Sequence, residues 1–290
     1  MLVDKNTSVG VVGVGFVGSS VVKGFNLFTQ VKFYDQNPSR GFHTLAEVMN
    51  CEFVFVCLPT PMECACGGKC DLSIMEAFFD SLRHTLPSQK TIIIIKSTVP
   101  VGTTKRFTER YPYLNIAHSP EFLTARSAAL DFICTTRNVV GSEEEWIAEQ
   151  VAELYRYRFP GIPCHVMTSQ ESEMVKYMVN SYLATKVIFF NEMRLLSDKL
   201  GLNWDNLLAG ILSDGRIAHT HYQVPGHDGL RGYGGACFSK DVNALIRTFE
   251  EQGLDPKVLR AGWEQNLAVR EEYDWAKIPS ACSNRDKKSE

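Results

Sequence analysis

The fold is decided by the stretch Val9-Gly-Val-Val-Gly13-Val-Gly15-Phe-Val-Gly18, a Gly-x-Gly-x-x-Gly pattern that follows a β-branched run. The residues from Ser19 to Phe25 favour a helix, so the stretch predicts a strand, a tight turn and the start of a helix. In such a turn the first glycine permits the bend, the second lets a ligand approach the backbone, and the third lets the helix pack on the strand. Free N–H groups at the start of the helix suit a phosphate group.

Around this turn, short apolar runs alternate with helical stretches, which is typical of βα units in a parallel sheet. We predict strands at residues 9–14, 31–35, 53–58, 91–96, 115–118, 138–141 and 164–167. The predicted fold class is therefore α/β, with a Rossmann-type, doubly wound parallel sheet in residues 1–168.

The second predicted strand ends at Asp35, about twenty residues after the glycine pattern, where a carboxylate can bind the ribose 2′-OH of NAD. The same carboxylate would repel the extra phosphate of NADP, although Arg40 nearby leaves NADP open. We expect NAD as the cofactor, bound by Gly13, Gly15, Phe16, Val17, Gly18 and Asp35.

The second half of the chain predicts helices. Residues 170–200 contain no proline or glycine and are apolar around much of a helical circumference, so this long helix should be buried between domains or between subunits. Further helices are predicted at 204–213, 239–250 and 258–275. We predict a helical central domain at 169–277, a homodimer formed through helix 170–200, and a flexible tail at 278–290.

Composition limits the possible partners and the compartment. The 290 residues carry 30 Lys plus Arg against 33 Asp plus Glu. The chain therefore lacks the surplus of basic residues that would indicate binding to nucleic acid or to a membrane surface. There is neither a signal-peptide pattern nor an apolar run long enough to span a membrane, and we expect a cytoplasmic protein. Nine scattered cysteines predict reduced thiols. We expect no metal: Cys64, Cys66 and Cys70 lack the Cys-x-x-Cys spacing of a typical zinc site, and the histidines of loop 219–231 could bind a metal but are more commonly solvated in a loop.

Two groups of residues indicate chemistry. The glycine pair Gly234-Gly235 precedes Cys237, and a nearby cation, Lys240, would favour the nucleophilic thiolate, although a cysteine taken alone is more often inert. In the long helix, Glu173, Lys176 and Asn180 have the spacing i, i+3, i+7 and share one face. The alternative for these three polar residues is a solvated stripe.

Seven ordered motifs together resemble the UDP-glucose/GDP-mannose dehydrogenase family, over residues 8 to 275. They are the glycine pattern, Cys57-x-Pro59-Thr60-Pro61, Ser97-Thr98-Val-Pro-Val-Gly-Thr103, Ser119-Pro-Glu121-Phe122-Leu123, Glu173-Met-Val-Lys176-Tyr-x-x-Asn180, Asn191-Glu192, and Gly234-Gly235-x-Cys237-Phe-x-Lys240-Asp241. Phe238 and the lead-in from Tyr233 resemble the branch that converts UDP-glucose to UDP-glucuronate.

The resemblance implies a four-electron oxidation of a sugar C6 alcohol with two NAD⁺ used in turn. It gives Cys237 the role of nucleophile in a thiohemiacetal and a thioester, Lys176 and Asn180 that of oxyanion stabilisation, Asp241 that of a base acting through water, and Glu121 and Thr98 a part in hydrolysis. It adds Pro59, Thr60 and Thr98 to the cofactor site. It places the nucleotide sugar against Glu121, Phe122, Leu123, Lys176, Asn180, Arg216, Tyr233, Gly234 and Gly235.

Several departures from the family pattern leave alternatives open. Family members continue into a third, Rossmann-like domain that completes the nucleotide-sugar site, and these 290 residues contain no counterpart. The chain is thus an enzyme with a reduced site, a dehydrogenase that transfers a single hydride from a smaller hydroxy-acid-type substrate, or a noncatalytic binding protein. Dehydrogenases of the 3-hydroxyisobutyrate type share the Lys/Asn helix but need no cysteine, so Cys237 favours the four-electron reaction.

Overall fold

The computed structural model describes residues 2–83 and 87–283. The chain divides into two compact units. The first comprises the chain up to Thr60 and the segment Leu72–Lys176, and the second comprises Pro61–Asp71 and the chain from Tyr177 onward. This division differs from the predicted boundary after residue 168, because the cysteine-rich segment 61–71 belongs to the second unit.

The first unit is built on a seven-stranded sheet, which confirms the predicted fold class. The strands are β1 (Ser8–Val12), β2 (Gln30–Tyr34), β3 (Phe53–Val56), β4 (Ile92–Ile95), β5 (Asn115–His118), β6 (Asn138–Gly141) and β7 (Cys164–Met167). Their order is β2-β1-β3-β4-β5-β6-β7. Neighbouring strands are parallel except β5 and β6, which share one antiparallel pairing, between His118 and Gly141. Several strands are one or two residues shorter than predicted, because the chain turns away where the ladder ends.

Helices cover both faces of this sheet. They are α1 (Phe16–Phe25), α2 (Leu45–Met49), α3 (Ser73–Ser81), α4 (Thr103–Arg110), α5 (Ala128–Ile133) and α6 (Glu145–Arg158). Strand β4 explains the apolar runs in the sequence: Ile92 and Ile94 pack into one core layer, whereas Ile93 and Ile95 pack into the other. Since both faces are buried, such a strand is apolar throughout instead of alternating.

The second unit is helical. Helix α7 (Ser169–Leu200) begins in the first unit and continues into the second, where it is followed by α8 (Trp204–Leu212), α9 (Phe238–Glu251), α10 (Lys257–Val269) and a 3-10 helix (Asp274–Lys277). The predicted helix 258–275 is therefore wrong beyond Val269. Arg270 has an extended backbone, and its buried side chain bonds to Asp228 and Asp274, which holds the chain in a turn.

The predicted tail is wrong for residues 278–283, whereas residues 284–290 lie outside the described residues. Ala281 and Cys282 are buried in the core of the second unit, beside Met62 and Trp275. The Met62 N–H donates to Ala281 O (2.9 Å), and the Ser283 N–H donates to Met62 O (2.9 Å). Backbone pairing with segment 61–71 therefore orders this part of the chain.

The expectation of reduced cysteines is wrong for Cys64 and Cys66, which form a disulfide. A turn in which the Gly67 N–H donates to Cys64 O brings the two Cα atoms to 5.3 Å, a separation that a disulfide can span. Within the described part of the chain, three or more His, Cys, Asp or Glu side chains are nowhere grouped to hold a metal ion. In the same residues, no helix combines the length and apolar character needed to cross a bilayer.

Candidate active site

The glycine-rich turn between β1 and α1 has the geometry of a dinucleotide site. Gly13 has a positive φ of 86°, and a Cβ added at Gly18 would lie 1.9 Å from Gly13 O, so neither position accepts a side chain without rearrangement. A Cβ added at Gly15 would meet no atom within 4 Å. Gly15 therefore leaves open space beside the backbone, on the side from which a pyrophosphate would approach.

The start of α1 is suited to phosphate. Gly15 is its N-cap, no side chain of the described residues caps it, and its first turn holds no acidic residue. Phe16 is exposed and Val17 is half-buried in this turn. The N–H groups and the positive end of the helix dipole are thus available to an anion.

Asp35 lies beside this turn at the end of β2. One of its carboxylate oxygens accepts the Val14 N–H (2.7 Å) and the other accepts the Asn37 N–H (2.8 Å). Each carboxylate oxygen keeps a further lone pair, which a ribose hydroxyl can use. Asp35 thus shapes the turn as well as offering an acceptor, and the residues present fit NAD.

The segments after β3 and β4 carry the other predicted cofactor residues. Pro59 is exposed, whereas Thr60 and Thr98 are buried. The Thr60 hydroxyl donates to Thr98 O at 2.7 Å, and the Ser97 hydroxyl donates to Leu58 O at 2.6 Å. The carboxyl ends of adjacent strands are therefore tied together where an open α/β sheet binds its ligand.

Lys176 and Glu121 form a buried ion pair in the first unit. The Lys176 ammonium donates to Glu121 Oε1 (2.9 Å) and to Glu121 O (2.6 Å), and both side chains are less than a tenth exposed. Its Nζ also lies 5.6 Å from the centre of the Phe122 ring. The Leu123 N–H donates to Glu121 Oε2 (2.7 Å), so both carboxylate oxygens are engaged. The structure thus brings together the four predicted residues Glu121, Phe122, Leu123 and Lys176.

Sequence reasoning missed a second buried cation, Lys96, which contacts the segment just before Glu121. Lys96 follows β4, and its ammonium donates to Pro120 O (3.0 Å), Tyr155 Oη (3.0 Å) and Ser119 Oγ (3.4 Å). It thereby fixes the backbone that presents Glu121. The signal in the sequence was a lysine directly after four isoleucines, because a charge at the end of a buried strand needs partners.

Glu173 joins α7 to the start of α4. Its carboxylate accepts the Gly102 N–H (2.6 Å) and the Thr104 N–H (2.8 Å), and the side chain is fully buried. Burial raises the pKa of Glu173 to about 7, although the two N–H groups oppose the shift. The alternative of a solvated stripe is therefore wrong for Glu173 and Lys176, which are both buried and bonded.

The residues of the second unit that are predicted to react cluster at the start of α9. Cys237 is its N-cap, and Asp241 accepts from the Asn180 amide through Oδ2 (2.6 Å) and from the Lys240 ammonium through Oδ1 (2.5 Å). Burial, the largest single effect, would lower the pKa of Lys240, but the Asp241 carboxylate, Cys237 and Cys70 together outweigh it, so this pKa is raised. Lys240 is therefore a cation near Cys237 at neutral pH, and a cation favours a thiolate.

Three predicted substrate residues lead into this cluster and one lies apart. Tyr233 is buried, and burial raises its pKa, while Gly234 and Gly235 follow it directly. Arg216 is 89% exposed and pairs with Asp214 (2.5 Å). Within the described chain its guanidinium thus points to solvent instead of contacting the other predicted site residues.

Two family models match this chain and identify the family to which it belongs. Residues 39–158 match the NAD binding domain of the UDP-glucose/GDP-mannose dehydrogenase family, and residues 170–268 match its central domain. The chain belongs to the UDP-glucose/GDP-mannose dehydrogenase family. The first match begins after the glycine-rich turn, so the reading of residues 9–18 rests on the geometry given above.

Individual proteins agree with this membership. The chain is 38% identical to UDP-glucose 6-dehydrogenase of Pseudomonas aeruginosa, over 79% of this chain and 51% of that protein. A UDP-glucose dehydrogenase from the archaeon Pyrobaculum islandicum shares the fold with a TM-score of 0.80 and 28% identity, over 91% of this chain and 68% of that one. The chain thus spans about half the length of the curated relatives that it matches.

A 3-hydroxyisobutyrate dehydrogenase of Mycobacterium tuberculosis has the same fold. Its TM-score is 0.73 at 19% identity, and the match covers 92% of this chain and 95% of that one. At this identity the likeness concerns the fold alone.

Proposed function

We propose that this chain is an NAD-dependent nucleotide-sugar dehydrogenase that oxidises a sugar C6 alcohol to the carboxylate, with UDP-glucose as substrate and UDP-glucuronate as product. The observation that carries the proposal is the cluster at the start of α9, where Cys237 lies near the Lys240 cation and Asp241 is held by Asn180. Membership of the family supports the substrate class.

In the first oxidation, Asp241 acts as the base for the C6 hydroxyl proton through a water molecule. NAD⁺, held at the glycine-rich turn by Gly13, Gly15, Gly18 and Asp35, would supply the hydride acceptor for each oxidation, with a second NAD⁺ replacing the NADH formed in the first. Lys176 and Asn180 lie one turn apart on α7, and we assign both to the oxygen on which negative charge develops. In this assignment Lys176 exchanges part of its bonding to Glu121 for the substrate oxygen.

Cys237 then attacks the aldehyde carbon and forms a thiohemiacetal, and the second oxidation converts it to a thioester. Water hydrolyses the thioester with Glu121 as general base and Thr98 as the residue that orients the water. The covalent bond to sulfur retains the aldehyde between the two oxidations. A reaction that transfers a single hydride would not need this cysteine.

The second copy of this chain is the partner that we propose for α7. Six apolar side chains recur on one stripe of this helix and are exposed, namely Met178, Tyr182, Phe189, Met193, Leu196 and Leu200. The stripe extends over the 23 residues from Met178 to Leu200, or roughly 33 Å of helix. An exposed apolar stripe of this length is typical of a homodimer interface. The mass measured by light scattering should be that of a dimer, and Leu196→Glu should give a monomer.

We place the reaction in the cytoplasm. Cys51, Cys57, Cys134 and Cys164 are thiols, as is usual for proteins of a reducing compartment. The Cys64–Cys66 disulfide is the exception within one loop.

The test is the production of NADH with a panel of UDP-sugars and GDP-mannose, together with a 3-hydroxy acid. The proposal predicts two NADH per molecule of UDP-glucose consumed. One NADH per substrate, or activity with the hydroxy acid alone, would support the single-hydride alternative. Binding of NAD without NADH from any substrate would support a noncatalytic binding protein.

A further inference from the structure

The segment that leads into Cys237 is held in place by side chains from other elements. The Gly232 N–H donates to Asn191 Oδ1 on α7 (3.0 Å). The Tyr233 N–H donates to Asn266 Oδ1 on α10 (2.7 Å), and the Asn266 amide donates back to Tyr233 O (3.2 Å). Because this segment has no regular secondary structure, these bonds replace the ladder that would otherwise fix its backbone.

The next contact in this segment is made by a charged group. The Gly235 N–H donates to Asp274 Oδ2 (2.9 Å), and Asp274 Oδ1 accepts from Arg270 Nη2 (2.9 Å). The same Nη2 donates to Asp228 (2.7 Å), and Nη1 donates to Arg231 O (3.3 Å). The guanidinium, with its side chain 1% exposed, therefore joins both ends of the loop that precedes Cys237.

The packing around Gly234 leaves no space for a side chain. A Cβ added there would lie 2.1 Å from Arg270 Nη2 and 2.3 Å from Asp274 Oδ1. Gly235 has a positive φ of 73°. The ion pair therefore closes against the backbone of the glycine pair, two and three residues before the sulfur.

We propose that Arg270 and Asp274 are positioning residues that fix the Gly234–Gly235 pair and thereby the direction of the Cys237 sulfur. This inference rests on the proposed function, because it concerns the nucleophile of that reaction. Neither residue carries out a chemical step. Their effect is to hold Cys237 in the attacking geometry, where a displacement of about 1 Å can cost up to about a hundredfold in rate.

The main test variant is Asp274→Ala, because Asp274 is 35% exposed whereas truncation of Arg270 would leave two carboxylates unpaired. Asp274→Asn keeps the shape and an acceptor for the Gly235 N–H but loses the charge that Arg270 binds. Asp255→Ala is the matched control, since Asp255 pairs with Arg260 at an exposed position of the same unit.

Two readouts are measured on the full chain: steady-state kinetics with NAD⁺ and UDP-glucose, and the rate of Cys237 alkylation by iodoacetamide, followed peptide by peptide with mass spectrometry. For Asp274→Ala we expect kcat to fall by about tenfold to a hundredfold with the KM for NAD⁺ unchanged. The alkylation rate of Cys237 should change at least about threefold, while that of Cys134 stays constant. For Asp274→Asn, both kcat and the alkylation rate of Cys237 should lie between the values for Asp274→Ala and the wild type.

The proposal is overturned if Asp274→Ala keeps the wild-type kcat and the wild-type alkylation rate at Cys237. A change in melting temperature alone, with both readouts unchanged, also overturns it, because the two residues would then be merely structural. If Asp274→Ala does not fold, Asp274→Asn decides by the same criteria. If the wild type produces no NADH from any sugar, the proposed function fails, and the alkylation rate alone decides on the positioning role.

Discussion

In the first unit, Lys176 and Glu121 form a buried ion pair beyond the end of β5, whereas in the second unit Cys237 and Asp241 lie at the start of a helix after an irregular segment. The first pair rests on a sheet whose two faces are both covered by apolar layers. The second group depends on hydrogen bonds from side chains far away in sequence. Loss of one partner of a buried ion pair lowers the stability of the fold, because the other charge is left unpaired. Loss of an acceptor in an irregular segment leaves a backbone N–H unpaired and releases the conformation of that segment.

In the first unit, the largest effect on stability and activity is expected from Lys176→Met. It leaves Glu121 buried without its cation, which costs about 3–5 kcal/mol of the free energy of unfolding. In the proposed mechanism it also removes the charge that stabilises the oxyanion, which is worth about 10²–10³ in kcat. Urea unfolding and NADH kinetics measure both. The double variant Lys176→Met, Glu121→Gln should recover most of the stability but none of the activity.

The control for this prediction is Arg106→Met in the same unit. Arg106 pairs with Glu76 at 3.0 Å, but the Arg106 side chain is about half exposed, so its loss should cost less than about 1 kcal/mol. Equal losses of stability in the two variants would show that burial of the Lys176–Glu121 pair is not decisive.

Two glycines of the same turn should separate folding from cofactor binding. In Gly18→Ala the new Cβ meets Gly13 O at 1.9 Å, so we expect a loss of about 2–4 kcal/mol in unfolding free energy. In Gly15→Ala the Cβ enters open space, so stability should change by less than about 1 kcal/mol, while NAD binding weakens at least about tenfold. Calorimetric titration with NAD and thermal unfolding measure the two effects. Wild-type NAD affinity in Gly15→Ala would contradict the site.

The smallest expected effect is a pH dependence of the free energy of unfolding that comes from Glu173 in the first unit. The pKa of Glu173 is about 7 in the folded chain, against 4.5 for an ordinary glutamate, so between these values the folded state keeps a proton that the unfolded state loses. Its contribution to stability therefore falls as pH rises from 4.5 to 7, by on the order of 1–3 kcal/mol, and is constant above pH 7.

Glu173→Gln should remove this part of the slope in urea unfolding measured at several pH values. The control is Glu171→Gln, since Glu171 is exposed on the same turn of α7 and its pKa is lowered by a hydrogen bond from the Thr168 backbone. An unchanged slope in Glu173→Gln would mean that Glu173 is ionised throughout this range.

The comparison also explains what could be predicted from the sequence. Strand β4, the turn at Gly13 and most of α7 follow from local patterns, because a buried strand, a tight turn and a long helix each leave a signature within a few residues. The mechanistic residues came from the family resemblance, and the structure pairs Lys176 with Glu121 and Asn180 with Asp241.

The remaining features depend on partners that are distant in sequence. Arg270 and Asp228 are separated by 42 positions, and Lys96 and Tyr155 by 59, so no local pattern relates them. The end of α10 at Val269 was missed for this reason, because the bonding of the Arg270 side chain ends the helix. The pairing of residues 281–283 with Met62 was missed for the same reason.

The most direct test of the proposed function compares Cys237→Ser with the wild type in the presence of UDP-glucose and NAD⁺, by counting NADH and UDP-glucuronate. Cys134→Ser, which changes an exposed thiol, is the control. We predict two NADH per UDP-glucuronate for the wild type and the control, and a loss of at least about 10³ in UDP-glucuronate formation for Cys237→Ser. Undiminished formation of UDP-glucuronate by Cys237→Ser would contradict a covalent role for this cysteine.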